Sequence, residues 1–364
     1  MTAAEIHSEA GHYHGLDILR SAALLLGVVF HAAMPVLMPD YAGLAAQPIP
    51  SEVSVDPGLR LFMEWSQIWR MPAFFVLAGF FAQMTLVRKG PAAFLADRAV
   101  RIFGVLVLFC LLFAALSGGS PLVLGHLWFL WFLSLMCLLA IIFWHVPSGA
   151  IARAASWTTA SAPRLVLLFV PVVIASVLGR EGLSAPVPLT VLDIQPWSFV
   201  FFWVFFLIGQ ALWIGRARID DLARRPVFAS LLMVAACLFL TLDNWTPGSL
   251  GFHVMASATT MLFVLGLIGV THALLARPDR FVTLAVRTAY PVYVFHVAPA
   301  IAISVGLLSL GIDGTATVIL SSMLTILLCL AFYVVLVRYS PMDWLFSGYA
   351  KSWFKWPWRA NGWS

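Results

Sequence analysis

About ten apolar stretches, each near the length that crosses the hydrocarbon core of a bilayer, alternate along the chain with short polar connections. They run from Asp17 to Met38, Leu61 to Val87, Arg101 to Leu116, His126 to His145 and Arg164 to Leu178. Five more follow, from Trp197 to Ile214, Val227 to Leu242, Leu250 to Leu274, Leu284 to Leu307 and Ala316 to Val337. The pattern predicts an all-α, polytopic membrane bundle of about ten transmembrane helices. With no internal repeat and no shift of composition, residues 1–364 read as one integral membrane domain, with a cytoplasmic segment at 1–16 and a cytoplasmic tail at 338–364.

Composition removes the soluble alternative. A chain that is 62% hydrophobic and 10% charged has more apolar surface than one water-soluble core can bury. The 21 prolines and 25 glycines are tolerated in membrane helices because neighbouring helices satisfy the freed backbone groups. The four cysteines, Cys110, Cys137, Cys237 and Cys329, all fall inside apolar runs without paired spacing, so they read as packed thiols, and no metal site is expected. The first run lacks the basic head and cleavage site of a signal peptide and is expected to remain in the mature protein.

The net charge of +5 changes the picture only through its distribution. One set of alternate connections holds Arg88, Lys89, Arg98, Arg101, Arg153, Arg164, Arg216, Arg218, Arg224, Arg225, Arg277, Arg280 and Arg287, and the tail adds Arg338, Lys351, Lys355 and Arg359. The other set offers only Arg60 and Arg180, while Arg20 and Arg70 lie within helices. Basic residues accumulate on the cytoplasmic side, so both termini are expected there, as an even helix count requires. The charge gives no reason to expect nucleic acid as a partner.

Ionisable groups inside the hydrocarbon cost about 2.5–3.5 kcal/mol each on insertion scales, which makes them candidates for function. Arg20 and His31 are eleven apart, on one helix face and separated by about 16 Å along the axis. Asp17 lies one turn before Arg20, in pairing range. Arg70 descends about 13 Å from the outer surface with Glu64 above it, and His31 lies about 10 Å below that surface. His126 and His253 fall near the outer boundary, and His296 lies near mid-membrane with Tyr293 one turn away on the same face. Each has a plainer reading: a snorkelling Arg20, a packing His31, interfacial His126 and His253, and bundle packing for Tyr290 and Tyr293. Taken together, the polar groups gather in the outer half while Arg20 marks the cytoplasmic mouth. That layout suits a charged donor arriving from inside and an acceptor waiting outside.

At these residues the chain resembles a known group. Asp17-Ile18-Leu19-Arg20, ten residues and then His31 is similar to the arginine and histidine signature of the membrane acyltransferase family 3. Three further blocks resemble that family in order: Trp69-Arg70-Met71-Pro72-Ala73-Phe74-Phe75-Val76-Leu77-Ala78-Gly79-Phe80-Phe81, His126-Leu127-Trp128-Phe129-Leu130, and Tyr293-Val294-Phe295-His296. Within the family the likeness is to the branch of periplasmic glucan succinyltransferases. Glu64 six residues before Arg70, the Phe205-Phe206-Leu207-Ile208-Gly209 run and Leu345-Phe346-Ser347-Gly348 carry it. Val297 departs from that branch, which has a second histidine there, and the outer connections are short.

The resemblance implies O-acyl transfer across the bacterial inner (plasma) membrane. The donor is a cytoplasmic acyl-CoA, succinyl-CoA first, acting as co-substrate with no permanently bound cofactor, and the acceptor is a hydroxyl of a periplasmic osmoregulated glucan. On this footing Arg20, helped by Asp17, receives the CoA phosphates, and the pantetheine arm reaches toward His31. His31 acts as base or is itself acylated, and either route needs it unprotonated at rest. Arg70 is the candidate for the far carboxylate of a succinyl group, because a guanidinium matches it with two prongs. His296 and Tyr293 polarise the thioester or hold the acceptor, while Glu64, His126, Trp128 and His253 are expected around the acceptor. The alternatives are an O-acetyltransferase of another surface polysaccharide or lipid, and, outside enzymes, a transporter or flippase. The latter would show an inverted repeat with paired broken helices, and the sequence has none.

Overall fold

The computed structural model describes residues 13–38, 54–144, 164, 166–275 and 280–348. The expected segment at 1–12, the tail beyond 348 and the end of the fourth run at His145 lie outside the described residues. The protein is a polytopic helix bundle with no strand among the described residues, only the isolated bridges Val123 with Thr190 and Glu181 with Ser184. In chain order the helices are α1 (His14–Leu37), α2 (Pro57–Arg98), α3 (Val105–Ser117), α4 (Trp128–Trp144), α5 (Phe169–Gly179), α6 (Pro196–Ile214) and α7 (Arg218–Leu222). They continue as α8 (Arg225–Leu240), α9 (Leu250–Leu274), α10 (Arg280–Phe295), α11 (Val297–Ser309), α12 (Gly314–Phe332) and α13 (Met342–Ser347). Among the described residues six stretches are long and apolar enough to span a membrane, and a bent pair makes a seventh. One of the six, Pro57–Ser117, contains two of the expected runs, and α5 and α8, at 11 and 16 residues, are shorter apolar helices.

Two breaks refine the linear reading. In α2 the backbone at Gly90 turns to φ 78°, a conformation open to glycine, and Pro91 follows, so the helix kinks directly beyond the run predicted to end at Val87. The ninth run, expected as one helix, is instead two, α10 and α11, bent by 72° around His296. Pro299 explains the bend: it has no N–H for the carbonyl four residues back at Phe295, yet it fits the first turn of α11.

Helices α1 and α2 occupy the centre. Helix α1 packs against α2, α9, α10, α11 and α12, and α2 packs against α1, α4, α6 and α9. The α2–α6 contact is close because both helices present glycine: a Cβ at Gly79 would overlap the Phe206 carbonyl oxygen, and one at Gly209 would overlap that of Val76. Around it stands an aromatic core of Phe75, Phe80, Phe201, Phe205 and Phe206, all fully buried. Outward-facing leucines such as Leu111 on α3 and Leu327 on α12 remain exposed, as lipid contact requires.

Alternate connections collect at opposite ends. At one end the segment before α2 meets the start of α12, where Ser54 Oγ donates to Asp313 Oδ2 at 2.5 Å and the Asp56 N–H donates to Thr315 Oγ1 at 2.9 Å. The connections after α3 and α5 pair at the same end through Leu124 N–H to Leu189 O and Val191 N–H to Leu122 O, both 2.9 Å. At the other end Asp220 lies 3.2 Å from His272 Nε2, and Gly15 fits closely against the Thr271 carbonyl. Arg180 belongs to neither surface. Counted in the sequence as a connection residue, it is 5% exposed, donates from Nη2 to Thr260 Oγ1 at 2.9 Å and lies 5.1 Å over the Phe201 ring.

Candidate active site

Three histidines from three distant parts of the chain meet beside α1. The His31 ring centroid lies 5.1 Å from that of His296 and 6.3 Å from that of His126, and the His126 and His296 rings are 5.5 Å apart. Tyr293 closes the group, 5.4 Å from His296 and 5.7 Å from His126. Local structure aims each one. His126 sits in the one-turn 3₁₀ segment Gly125–Leu127, entered through Gly125 at φ 50°. His296 occupies the break between α10 and α11, and His31 lies on the stripe of α1 that also carries Arg20 and Gly27.

Hydrogen-bond partners fix the tautomers. His126 Nε2–H donates to the Val294 carbonyl at 3.1 Å, which leaves Nδ1 with the lone pair. His296 Nδ1–H donates to the Tyr293 carbonyl, and its Nε2 is buried without a hydrogen-bond partner. His31 Nδ1 faces the Met34 sulfur at 3.1 Å, so Nε2 is its basic atom. The Tyr293 hydroxyl donates to the His126 carbonyl, tying α10 to the start of α4. Among the described residues no group of three or more His, Cys, Asp or Glu is arranged to hold a metal ion.

Arg70 completes the cluster. It is 8% exposed, its Cζ lies 4.9 Å over the Phe30 ring, and its Nε and Nη1 are buried without hydrogen-bond partners. No ion pair joins it to Glu64, which instead lines a surface crevice with Arg60 and Gln67. The partner of His31 is likewise the Met34 sulfur and not a carboxylate. Gly27 stands between these groups: a Cβ there would meet Arg70 Nη1 at 3.7 Å, His296 Nε2 at 3.8 Å and Tyr293 Cδ2 at 4.0 Å. The missing side chain leaves α1 bare where three functional groups converge.

The other candidates lie elsewhere. Arg20 is at the far end of the α1 stripe, paired with Asp17 at 2.8 Å and 4.9 Å over the Phe81 ring, with Arg98 and Arg101 adding like charge around it. Trp128 belongs to an aromatic wall, 5.3 Å from Phe202 and 5.6 Å from Phe132. His253 belongs to a second polar group, with Nδ1 3.1 Å from Ser176 Oγ and Arg180 nearby. The sequence reading missed Gly27, Met34 and Arg180. Gly27 alone had a usable signal, a glycine seven residues beyond Arg20 on the stripe that ends at His31.

A family model described as an acyltransferase domain matches residues 13–334 of this chain. No curated protein and no solved structure matches it.

Proposed function

The chain belongs to the membrane acyltransferase family 3, a multi-pass membrane acyltransferase, and we propose that it moves a succinyl group from cytoplasmic succinyl-CoA to a hydroxyl of a periplasmic glucan. The carrying observation is the meeting of His31, His126, His296 and Tyr293, with Arg70 beside His296 and Tyr293 at Gly27 and Arg20 at the other end of α1. In this reading the membrane is the bacterial inner membrane, the Arg20 end is cytoplasmic, and the pantetheine arm follows α1.

The acceptor hydroxyl attacks the thioester carbonyl carbon, and its proton passes to His31 Nε2. The carbon–sulfur bond breaks, and the same imidazole returns the proton to the departing CoA thiolate. Arg70 and the Tyr293–His296 pair hold the acyl group while charge develops on its oxygen. Two buried nitrogens of Arg70 without hydrogen-bond partners leave its charge available to an anionic group, which favours a dicarboxylic acyl group over acetyl. One observation favours a transporter, the broken span α10–α11, since solute sites often form at such breaks. A transporter of that kind pairs its broken helix with a second one, and the described residues hold a single bent pair of this type.

Mass spectrometry of periplasmic glucans from the producing cells, with and without the gene, tests the proposal. Deletion is expected to remove a succinyl mass increment from the glucan. An unchanged glucan would overturn this donor and acceptor.

A further inference from the structure

Above the histidine cluster, at the end of the bundle that holds Asp56 and Asp313, α1 and α2 part to leave a shallow crevice that opens to solvent. Its polar lining comes from α2 alone, where Met63 adds one apolar side chain. Helix α2 presents Arg60, Glu64 and Gln67, spaced four and three residues apart, so they form one stripe. Three residues further along that stripe is Arg70, about 15 Å below Arg60. Helix α1 presents Phe30, Met34 and Leu37 opposite them.

The apolar wall is also the cover of the histidine cluster. The Phe30 ring lies 5.3 Å from the His31 ring and under the Arg70 guanidinium, and the Met34 sulfur faces His31 Nδ1 at 3.1 Å. One layer of side chains therefore separates the crevice from His31. Met34 is unbranched, so a change of its rotamer opens that layer without movement of the backbone.

We propose that this crevice is the acceptor subsite and that it takes a sugar residue of a carbohydrate chain, with Met34 as the movable partition between the sugar and His31. The proposal rests on the acyl-transfer reading and adds where its acceptor binds. The chemistry of the walls selects the occupant. A carboxylate, an amide and a guanidinium on one wall supply acceptors and donors for hydroxyls, and the opposite wall supplies apolar contact for a ring's C–H face. A lipid chain has no use for three polar residues in a row, and Glu64 repels an anion.

The test reads occupancy apart from turnover. Gln67→Cys, made in the full chain with Cys237→Ser to remove the exposed native thiol, is placed in nanodiscs and treated with a hydrophilic maleimide. A linear gluco-oligosaccharide is expected to slow alkylation about tenfold at ten times its Kd, while CoA leaves the rate unchanged. Leu37→Cys, on the opposite wall, serves the same test if the first variant fails to fold. Alkylation unaffected by the oligosaccharide, or slowed by CoA alone, overturns the acceptor subsite. Protection in a protein that transfers no acyl group to carbohydrate would support the subsite and overturn the proposed reaction.

Discussion

An arginine lies near each end of the α1 stripe, Arg20 on the stripe itself and Arg70 on α2, yet the two are held in opposite ways. At the mouth, Arg20 pairs with Asp17 at 2.8 Å, Arg98 and Arg101 each lie 3.7 Å from Asp97, and Arg287 lies 3.7 Å from the fully buried Asp343. In the histidine cluster, Arg70 has no ion pair among the described residues, and two of its nitrogens have no hydrogen-bond partner. Four arginines paired with three aspartates keep a mouth positively charged and assembled without committing any one arginine. An unbalanced guanidinium next to three histidines is costly to the fold, which is the expected signature of a group kept for a ligand.

The sharpest way to break the comparison is His31→Ala. If the cluster is the reacting end, transfer falls by about 10²–10⁴, the usual worth of a positioned general base, while the protein still purifies as a folded bundle. Thermal melting in detergent is measured beside turnover. A variant that keeps full activity removes His31 from the chemistry, and one that fails to fold returns it to packing.

Next in size is Arg70→Lys, which keeps the charge and loses the planar fork. Hydrogen bonds to a charged group are worth about 1.5–3 kcal/mol, so the preference for succinyl-CoA over acetyl-CoA should fall about tenfold. Donor competition in nanodiscs measures it. Equal losses for the two donors would make Arg70 a carbonyl-polarising or structural group and leave the succinyl assignment without its physical support.

How much of this was legible in the residues depends on whether periodicity or tertiary contact carries the information. The Arg20–His31 stripe follows from 3.6 residues per turn, and the gathering of polar groups toward one end of the bundle follows from helix direction. His126 and His253 looked equivalent from depth alone. In the structure His126 joins the cluster and His253 turns to Ser176, because depth fixes height in the membrane but not which neighbour a helix face meets. Pro299 is a signal for the bend at His296 that a reading by continuous apolar length passes over. Arg180 was misplaced because a charge at the end of an apolar run reads as solvated until its burial against Thr260 and Phe201 is seen.

A smaller effect is expected at the mouth from Arg20→Ala. Removing one of several cations around a flexible phosphate ligand should raise the KM for acyl-CoA about fivefold and leave kcat nearly unchanged, an effect weakened by salt. A loss confined to kcat would place Arg20 in the acyl-transfer step and erase the difference between the two ends.

The smallest expected effect, and the one that most sharpens the comparison, comes from Asp17→Asn. The Arg20–Asp17 pair spans one helical turn and both partners keep some exposure, 33% and 13% of their side chains. Pairs of that kind contribute about 0.2–1 kcal/mol, so stability should change little and KM by less than about fivefold. The direction is informative. If Asp17 only balances charge, its loss frees the guanidinium and removes a carboxylate that repels the CoA phosphates, and KM falls. If instead Asp17 holds Arg20 in the one orientation that meets the phosphate, KM rises and approaches the Arg20→Ala value. The second result would make the mouth a preorganised site like the histidine cluster, with its carboxylate serving to aim the arginine and not to neutralise it.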